Sequence, residues 1–338
     1  LEERRGAMRS YKKNFLAAAF FVGLAVILGL LFWQGRRENL GPLRVVLIQK
    51  AIDDTDFWTS IYEGGQMAAD ELGVELTIMG PKHESEAELQ HQMILDAIAE
   101  KPHAIALTPS SFEETIPYAE QIEAAGISLV LMDSTMKEDM GESLIATDNY
   151  EAGYKMGAYM KKFVDENTVI GVVGHVKGTS TATERERGFR AGLQDAQNQI
   201  AEVVFCDSSP EKAYELTCEL VRTYPDMNLI VGLNEYSAVG AARAVKDLGR
   251  SADCHMAGFD SSFEEIQLLE EGVFDAIVIQ KPFNMGYLGV ETAVKAARGK
   301  AVEPYVDSGS ELITKENMYT EENQKLLFPF FGKNKKGL

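Results

Sequence analysis

The chain is poor in cysteine, in histidine motifs and, over most of its length, in positive charge. Three cysteines in 338 residues (Cys206, Cys218, Cys254) are too few for a disulfide scaffold, and none has C-x-x-C spacing. They read as small buried apolar residues, with a Cys206–Cys218 bridge left open. The five histidines form no H-E-x-x-H or Cys/His cluster, so no metal is expected. A G-x-S-x-G nucleophile elbow is missing, and the glycine-rich stretch 171–180 lacks the spacing of a phosphate loop. No cofactor is implied.

Residues 1–37 hold seven basic and two acidic side chains, which leaves 26 basic against 50 acidic over 38–338. A domain that negative repels a phosphate backbone or an anionic lipid surface, so nucleic acid is not expected as a partner. The 45% hydrophobic content is that of an ordinary folded chain, and the length allows two packed lobes.

One long apolar run stands out. Asn14 to Trp33 is uncharged over twenty residues, NFLAAAFFVGLAVILGLLFW, enough to span a bilayer core of ~30 Å. It ends in Leu-Leu-Phe-Trp-Gln-Gly, without the small-x-small site of a cleaved signal peptide, and no lipid-accepting cysteine follows. Five basic residues before the run and two after it favour the N-terminus inside. The expectation is an uncleaved signal anchor at 14–33, with 1–13 cytoplasmic, 34–42 a linker and Met8 a plausible start.

From residue 44 onward short β-branched runs alternate with helical patterns. Strands are predicted at 44–49, 75–79, 104–107, 128–132, 169–173, 202–205, 229–232, 255–258 and 276–279. Apolar residues every three or four positions predict helices over stretches such as 57–72, 86–100, 150–164, 183–197 and 238–248. That alternation is the mark of βαβ units and parallel sheets. The stretch 44–72 resembles 169–197 in pattern, so two doubly wound lobes with a cleft between them are expected.

Ligands of open parallel sheets bind beyond the C-terminal strand ends. Here those ends carry Phe57 and Trp58 after a polar loop that includes Thr55, then Asp133, Arg185, Asn234, Asp260 and Gln280. Carboxylates accept paired hydrogen bonds from adjacent hydroxyls, amides both donate and accept, and aromatic faces pack on sugar C–H groups. The set suits a neutral sugar or polyol. An anion would require an Arg or Lys cluster, and only Arg185 is evident. Asp133 and Asp260 as an acid–base pair would make a glycosidase or epimerase, and an amino acid or a signalling sugar is the other alternative ligand.

Several short motifs then fall in a specific order: Asp56-Phe-Trp-Thr-Ser-Ile-Tyr-Glu-Gly-Gly, Leu131-Met-Asp-Ser, Gly178-Thr-Ser followed by Glu184-Arg-Glu-Arg-Gly-Phe-Arg, Val231-Gly-Leu-Asn-Glu, Ala257-Gly-Phe-Asp and Ile279-Gln-Lys-Pro. From Leu43 to about Thr320 the chain resembles type 1 periplasmic binding proteins of the ribose/galactose-binding family, whose fold is shared by LacI-type effector domains. The resemblance implies a non-enzymatic, monomeric sugar binder that closes about three hinge crossings near 147, 281 and 307. It divides the chain into lobe one (43–146 and 281–307), lobe two (147–280 and 308–320) and a tail, 321–338. It places ligand contacts at Phe57, Trp58, Asp133, Asn234, Asp260 and Gln280, with Thr55, Arg185, Thr183 and Tyr236 as further candidates. Two family arginines are replaced, by Ser134 and Thr183. The family's opposing aromatic, expected near 208–212, has no counterpart, with Tyr236 as the substitute. An ABC permease or a histidine-kinase ectodomain is the implied partner, at the outer face of a bacterial cytoplasmic membrane. A transmembrane run where a DNA-binding motif would stand argues against a repressor.

Overall fold

The computed structural model describes residues 42–53 and 55–328. The run 14–33 and the segment 329–338 lie outside them. Among the described residues no helix is long and apolar enough to cross a membrane.

The first half runs β1 (Arg44–Ile48), α1 (Asp56–Leu72), β2 (Glu75–Met79), α2 (Ala87–Glu100), β3 (Ala104–Leu107), α3 (Ile116–Ala124), β4 (Ser128–Met132) and β5 (Ser143–Ala146). The second repeats the alternation through α4 (Asn149–Met160), β6 (Ile170–Gly174), α5 (Ser180–Leu193), β7 (Ile200–Phe205), α6 (Pro210–Thr223) and β8 (Leu229–Gly232). It continues with α7 (Glu235–Asp247), β9 (His255–Phe259), α8 (Phe263–Glu271) and β10 (Ala276–Gln280). Then follow α9 (Pro282–Ala297), β11 (Tyr305–Asp307), β12 (Ser310–Ile313) and α10 (Glu321–Leu327).

Two six-stranded sheets result, ordered β11-β5-β4-β3-β1-β2 and β12-β10-β9-β8-β6-β7. All neighbours are parallel except β10 and β12. Both are doubly wound, and each reverses its winding beside its first strand, at β1/β3 and at β6/β8. Those two points are where a ligand crevice opens. The central strands are buried along their length, AIAL in β3 and LIVG in β8, because helices cover both faces.

Three strands fall outside the nine runs read from the apolar pattern. β5 lies between β4 and β11, β11 is a three-residue edge strand, largely exposed, and β12 is a four-residue edge strand, so none carries a long apolar run. Helix α5 starts at Ser180 instead of 183, because the Thr179 hydroxyl caps it by accepting from Ala182 N at 3.3 Å. Helix α4 stops at Met160 and tightens into a 3₁₀ turn, short of 164.

The chain passes between sheets after β5, after β10 and between β11 and β12. Thr147 and Ser308 hydroxyls bond at 3.1 Å and tie two of these passages together. Each half also contains a helix pair in backbone contact. A Cβ on Gly64 of α1 would lie 2.0 Å from the Phe283 carbonyl oxygen of α9, and one on Gly188 of α5 would lie 2.0 Å from the Tyr150 oxygen of α4. This close approach sets the N-terminal ends of α1 and α9, and of α4 and α5, side by side at the cleft.

Candidate functional site

The strand ends of the two sheets converge on a small cavity, about 20 Å³, lined by Lys50, Trp58, Glu84, Asp133, Arg185 and Asn234, among others. That is room for about one water. Four hydrogen bonds span the two halves around it. Glu84 Oε2 accepts from Ser208 Oγ at 2.5 Å, Asp53 accepts from the Tyr236 hydroxyl, Asp56 Oδ2 accepts from Phe263 N at 3.0 Å, and Ser180 Oγ accepts from Thr135 N at 3.0 Å. The conformation is closed.

Local backbone geometry aims the polar groups. Asp133, Ser208 and Asp260 have φ of 61°, 53° and 90°, so the chain turns sharply just beyond β4, β7 and β9. Asn234 follows β8 and caps α7: its Oδ1 accepts from Ser237 N at 3.0 Å, which leaves the amide NH₂ for Ser208 Oγ at 3.4 Å. Asp260 accepts from Gln280 Nε2 at 2.7 Å and from Glu235 N at 3.0 Å. The Gln280 Oε1 atom is buried without a partner. Trp58 is 2% exposed, sits edge-on to Phe57 at 4.9 Å and donates Nε1–H to Glu84 Oε1 at 3.0 Å.

Of the ten residues singled out by sequence, eight line this cavity: Phe57, Trp58, Asp133, Arg185, Asn234, Tyr236, Asp260 and Gln280. Two do not. Thr183 is exposed and spends its hydroxyl on the Thr179 carbonyl at 2.9 Å, one helical turn back, so Arg185 of the same helix enters the cleft instead. Thr55 donates its hydroxyl to Asp53 Oδ1 at 2.6 Å and lies outside the lining. No aromatic stands at 208–212; Ser208 takes that place and bonds Glu84. All three cysteines are free thiols, so Cys206 and Cys218 do not pair.

The expectation of a single cation is corrected too. Lys50, the second residue beyond β1, is 3% exposed and places Nζ 2.6 Å from Asp133 Oδ2 and against Ser134 Oγ. The lysine thus brings its positive charge to Ser134, where the resembling family carries an arginine. Arg185 stacks on Phe259, its guanidinium carbon 3.8 Å from the ring centre. It also donates to Asn149 Oδ1 at 2.8 Å and to the Leu233 carbonyl at 2.7 Å. Glu84 and His175 were missed as well. Burial raises the Glu84 pKa and holds His175 well below its ordinary value, hence neutral.

Behind Asp260 three carboxyls crowd together. Burial raises Asp260, and burial with Asp260, Asp56 and Asp53 nearby pushes Glu235 up to about 8. Glu265, fully buried, is raised well above the usual range by burial and by both neighbours. A carboxyl raised on folding stays protonated where the unfolded chain has ionised, so its stabilising effect is full below the unfolded value and is lost as pH rises toward the folded one. Glu235 should therefore contribute a fall in stability from about pH 5 to pH 8, at up to roughly 1.4 kcal/mol per pH unit, while neutral His175 contributes in the opposite sense below about pH 6.5. Thermal midpoints taken across that range test this. The Glu235→Gln variant should lose this contribution, so its midpoint should fall less between pH 5 and pH 8 than the parent's, and identical pH profiles for the two would refute the assignment.

Sequence comparison places this geometry among known proteins. Residues 45–301 match the family described as periplasmic binding protein domain. The ribose import binding protein RbsB of Escherichia coli is 25% identical over 260 residues, 77% of this chain and 87% of its own. A crystal structure of a sugar transporter from Clostridium phytofermentans superposes with a TM-score of 0.77 at 44% identity, covering 81% of this chain and 99% of that one. An ABC transporter solute binding protein from Agrobacterium vitis with bound D-fucose gives 0.81 at 28% identity, over 84% and 99%. These relatives are sugar-binding transport proteins, not enzymes. With two doubly wound sheets closing on a cavity at their strand ends, the chain belongs to the type 1 periplasmic binding proteins, in the ribose- and sugar-binding family.

Proposed function

We propose that the chain captures a neutral sugar or polyol in the cleft between its two sheets and presents the closed form to an ABC permease. The observation that carries this reading is the convergence of Phe57, Trp58, Asp133, Asn234, Asp260 and Gln280 on one cavity. Aromatic faces, paired carboxylate acceptors and amides are what a polyol requires. The cavity is smaller than a sugar, so entry requires the halves to part about the three crossings and the cross-cleft hydrogen bonds to break. Lys50 and Arg185 do not turn the site into an anion trap: the lysine is neutralised by Asp133, and the guanidinium is engaged by Asn149 and Leu233.

A thermal-shift panel of pentoses, hexoses, sugar alcohols and amino acids tests the reading. A binder present at 100 times its Kd should add about 2.7 kcal/mol, a rise of several degrees. Asp260→Ala should abolish that rise, because it removes the acceptor shared by Gln280 and Glu235 N. No response to any sugar or polyol would sink the proposal. The run 14–33 supports a further reading, a single-pass anchor that holds the domain outside the cytoplasmic membrane, with a sensor kinase as the second partner. Carbonate extraction checks the anchor: the protein should stay with the membrane pellet.

A further inference from the structure

Beside the sugar cavity lies a larger one, about 440 Å³, within the range of small-molecule sites. Phe57, Glu235, Asp260 and Gln280 line both. Its apolar wall includes Met67 of α1, Ile266 of α8 and Phe263, which at 67% is the most exposed large apolar side chain among the described residues. The cavity therefore reaches solvent along an aromatic ring.

Its polar lining includes buried acceptors without donors, beside the hydroxyls of Ser60, Ser261 and Ser262 and the amide of Asn284. Gln280 is 4% exposed and spends its NH₂ on Asp260, which leaves Oε1 buried without a partner, and Glu235 Oε2 is likewise buried and unpartnered. Asp56 adds a carboxylate, and Asp260 a carboxyl whose oxygens are held by Gln280 Nε2 and Glu235 N. Glu235, raised to about 8 by burial and its carboxyl neighbours, gives up its proton when a cation enters, so cation binding should strengthen as pH rises toward 8. The two lysines in the wall face other acids: Lys281 Nζ lies 3.6 Å from Glu311 and Lys325 Nζ lies 2.7 Å from Glu321. An alkylammonium group carries three donors and no acceptor, and aromatic faces attract it as well. A neutral hydroxyl would bring a further acceptor, and an anion would be repelled.

We propose that this cavity is a second ligand subsite that takes an organic cation with an apolar flank, such as an arylalkylammonium group. It stands whether or not the adjoining cavity takes a sugar.

Titration calorimetry on the full chain with phenethylammonium, against its neutral counterpart 2-phenylethanol, decides the matter. The cation should bind at least tenfold more tightly, and high salt should narrow the gap. Glu235→Gln should remove most of the preference without weakening the alcohol, and Phe263→Ala should weaken both probes several-fold. Equal binding, no binding, or a preference that survives Glu235→Gln intact would overturn the proposal. Residues 329–338 follow directly on Phe328, a wall residue, and hold two phenylalanines and three lysines. If a Phe330→Ser/Phe331→Ser variant binds the cation where the parent does not, the chain fills its own cavity and the free subsite is refuted.

Discussion

Replacing Lys50 by Met is expected to destabilise the protein by about 3–5 kcal/mol, the cost of leaving one member of a buried ion pair uncompensated. Lys50 and Asp133 side chains are each 4% exposed and 2.6 Å apart, and Ser134 Oγ completes the triangle, donating to Asp133 Oδ2 at 2.8 Å. Without the ammonium, the Asp133 carboxylate keeps one hydroxyl donor and no counter-charge within bonding distance. Asp133→Asn should be costly for the converse reason. Asparagine is the suitable partner for this cycle because it tolerates the positive φ of 61° that a leucine would not. The double variant, which removes both charges, should lose clearly less than the sum of the two single losses, with a coupling of about 2 kcal/mol or more. Denaturant unfolding of the parent, both singles and the double measures it. Strict additivity would mean that the pair is not formed in solution. The same variants separate stability from binding: if Asp133 accepts from sugar hydroxyls as proposed, the double variant should fold yet bind sugar far more weakly.

Lys50 also shows how far the sequence carried. The parallel sheets were legible because their central strands are short unbroken apolar runs. Asp133, Asn234, Asp260 and Gln280 were reachable because a strand end announces itself by the first polar residue after such a run. Phe57 and Trp58 stood out as an aromatic pair closing the first loop, Arg185 followed a strand-end loop into a helix, and Tyr236 came only from the family resemblance. Lys50 occupied a strand-end position, but a lone lysine in an acidic loop reads as solvated, and only the fold shows Asp133 opposite it. Glu84 had no comparable signal. It lies in the loop after β2, the edge strand of its sheet, and reaches the cleft because that loop returns over Trp58 to meet Ser208. Thr183 failed for a helical reason: two residues along a helix is a turn of about 200°, so Thr183 and Arg185 cannot share a face. Short strands such as β11 owe their state to a neighbour in the sheet, which composition does not record.

The helix pairing beneath the cleft gives the sharpest structural test, because two adjacent glycines of α1 should respond oppositely to the same change. A methyl on Gly64 would lie 2.0 Å from the Phe283 carbonyl oxygen and 2.9 Å from Tyr287 N, both backbone atoms of α9 that no rotamer change can move. On Gly65 it would meet the tips of Leu47 and Val290 at 3.1 and 3.3 Å, side-chain atoms that can give by a few tenths of an ångström. Alanine in a helix interior is worth about 1 kcal/mol over glycine, a gain available to both substitutions. Gly65→Ala should therefore be near neutral, its packing cost offset by propensity. Gly64→Ala must force α1 and α9 apart and should cost about 3 kcal/mol or more, lowering the thermal midpoint by roughly 6 °C or more. The damage should extend to binding, since α1 begins at Asp56, Phe57 and Trp58 and α9 begins at the Lys281 crossing. Separating the two helices tilts the aromatic pair away from Asp260 and Gln280, so Gly64→Ala should also raise the sugar Kd at temperatures where the protein is still folded. Equal midpoints for the two variants would mean that α1 and α9 do not pack backbone to backbone.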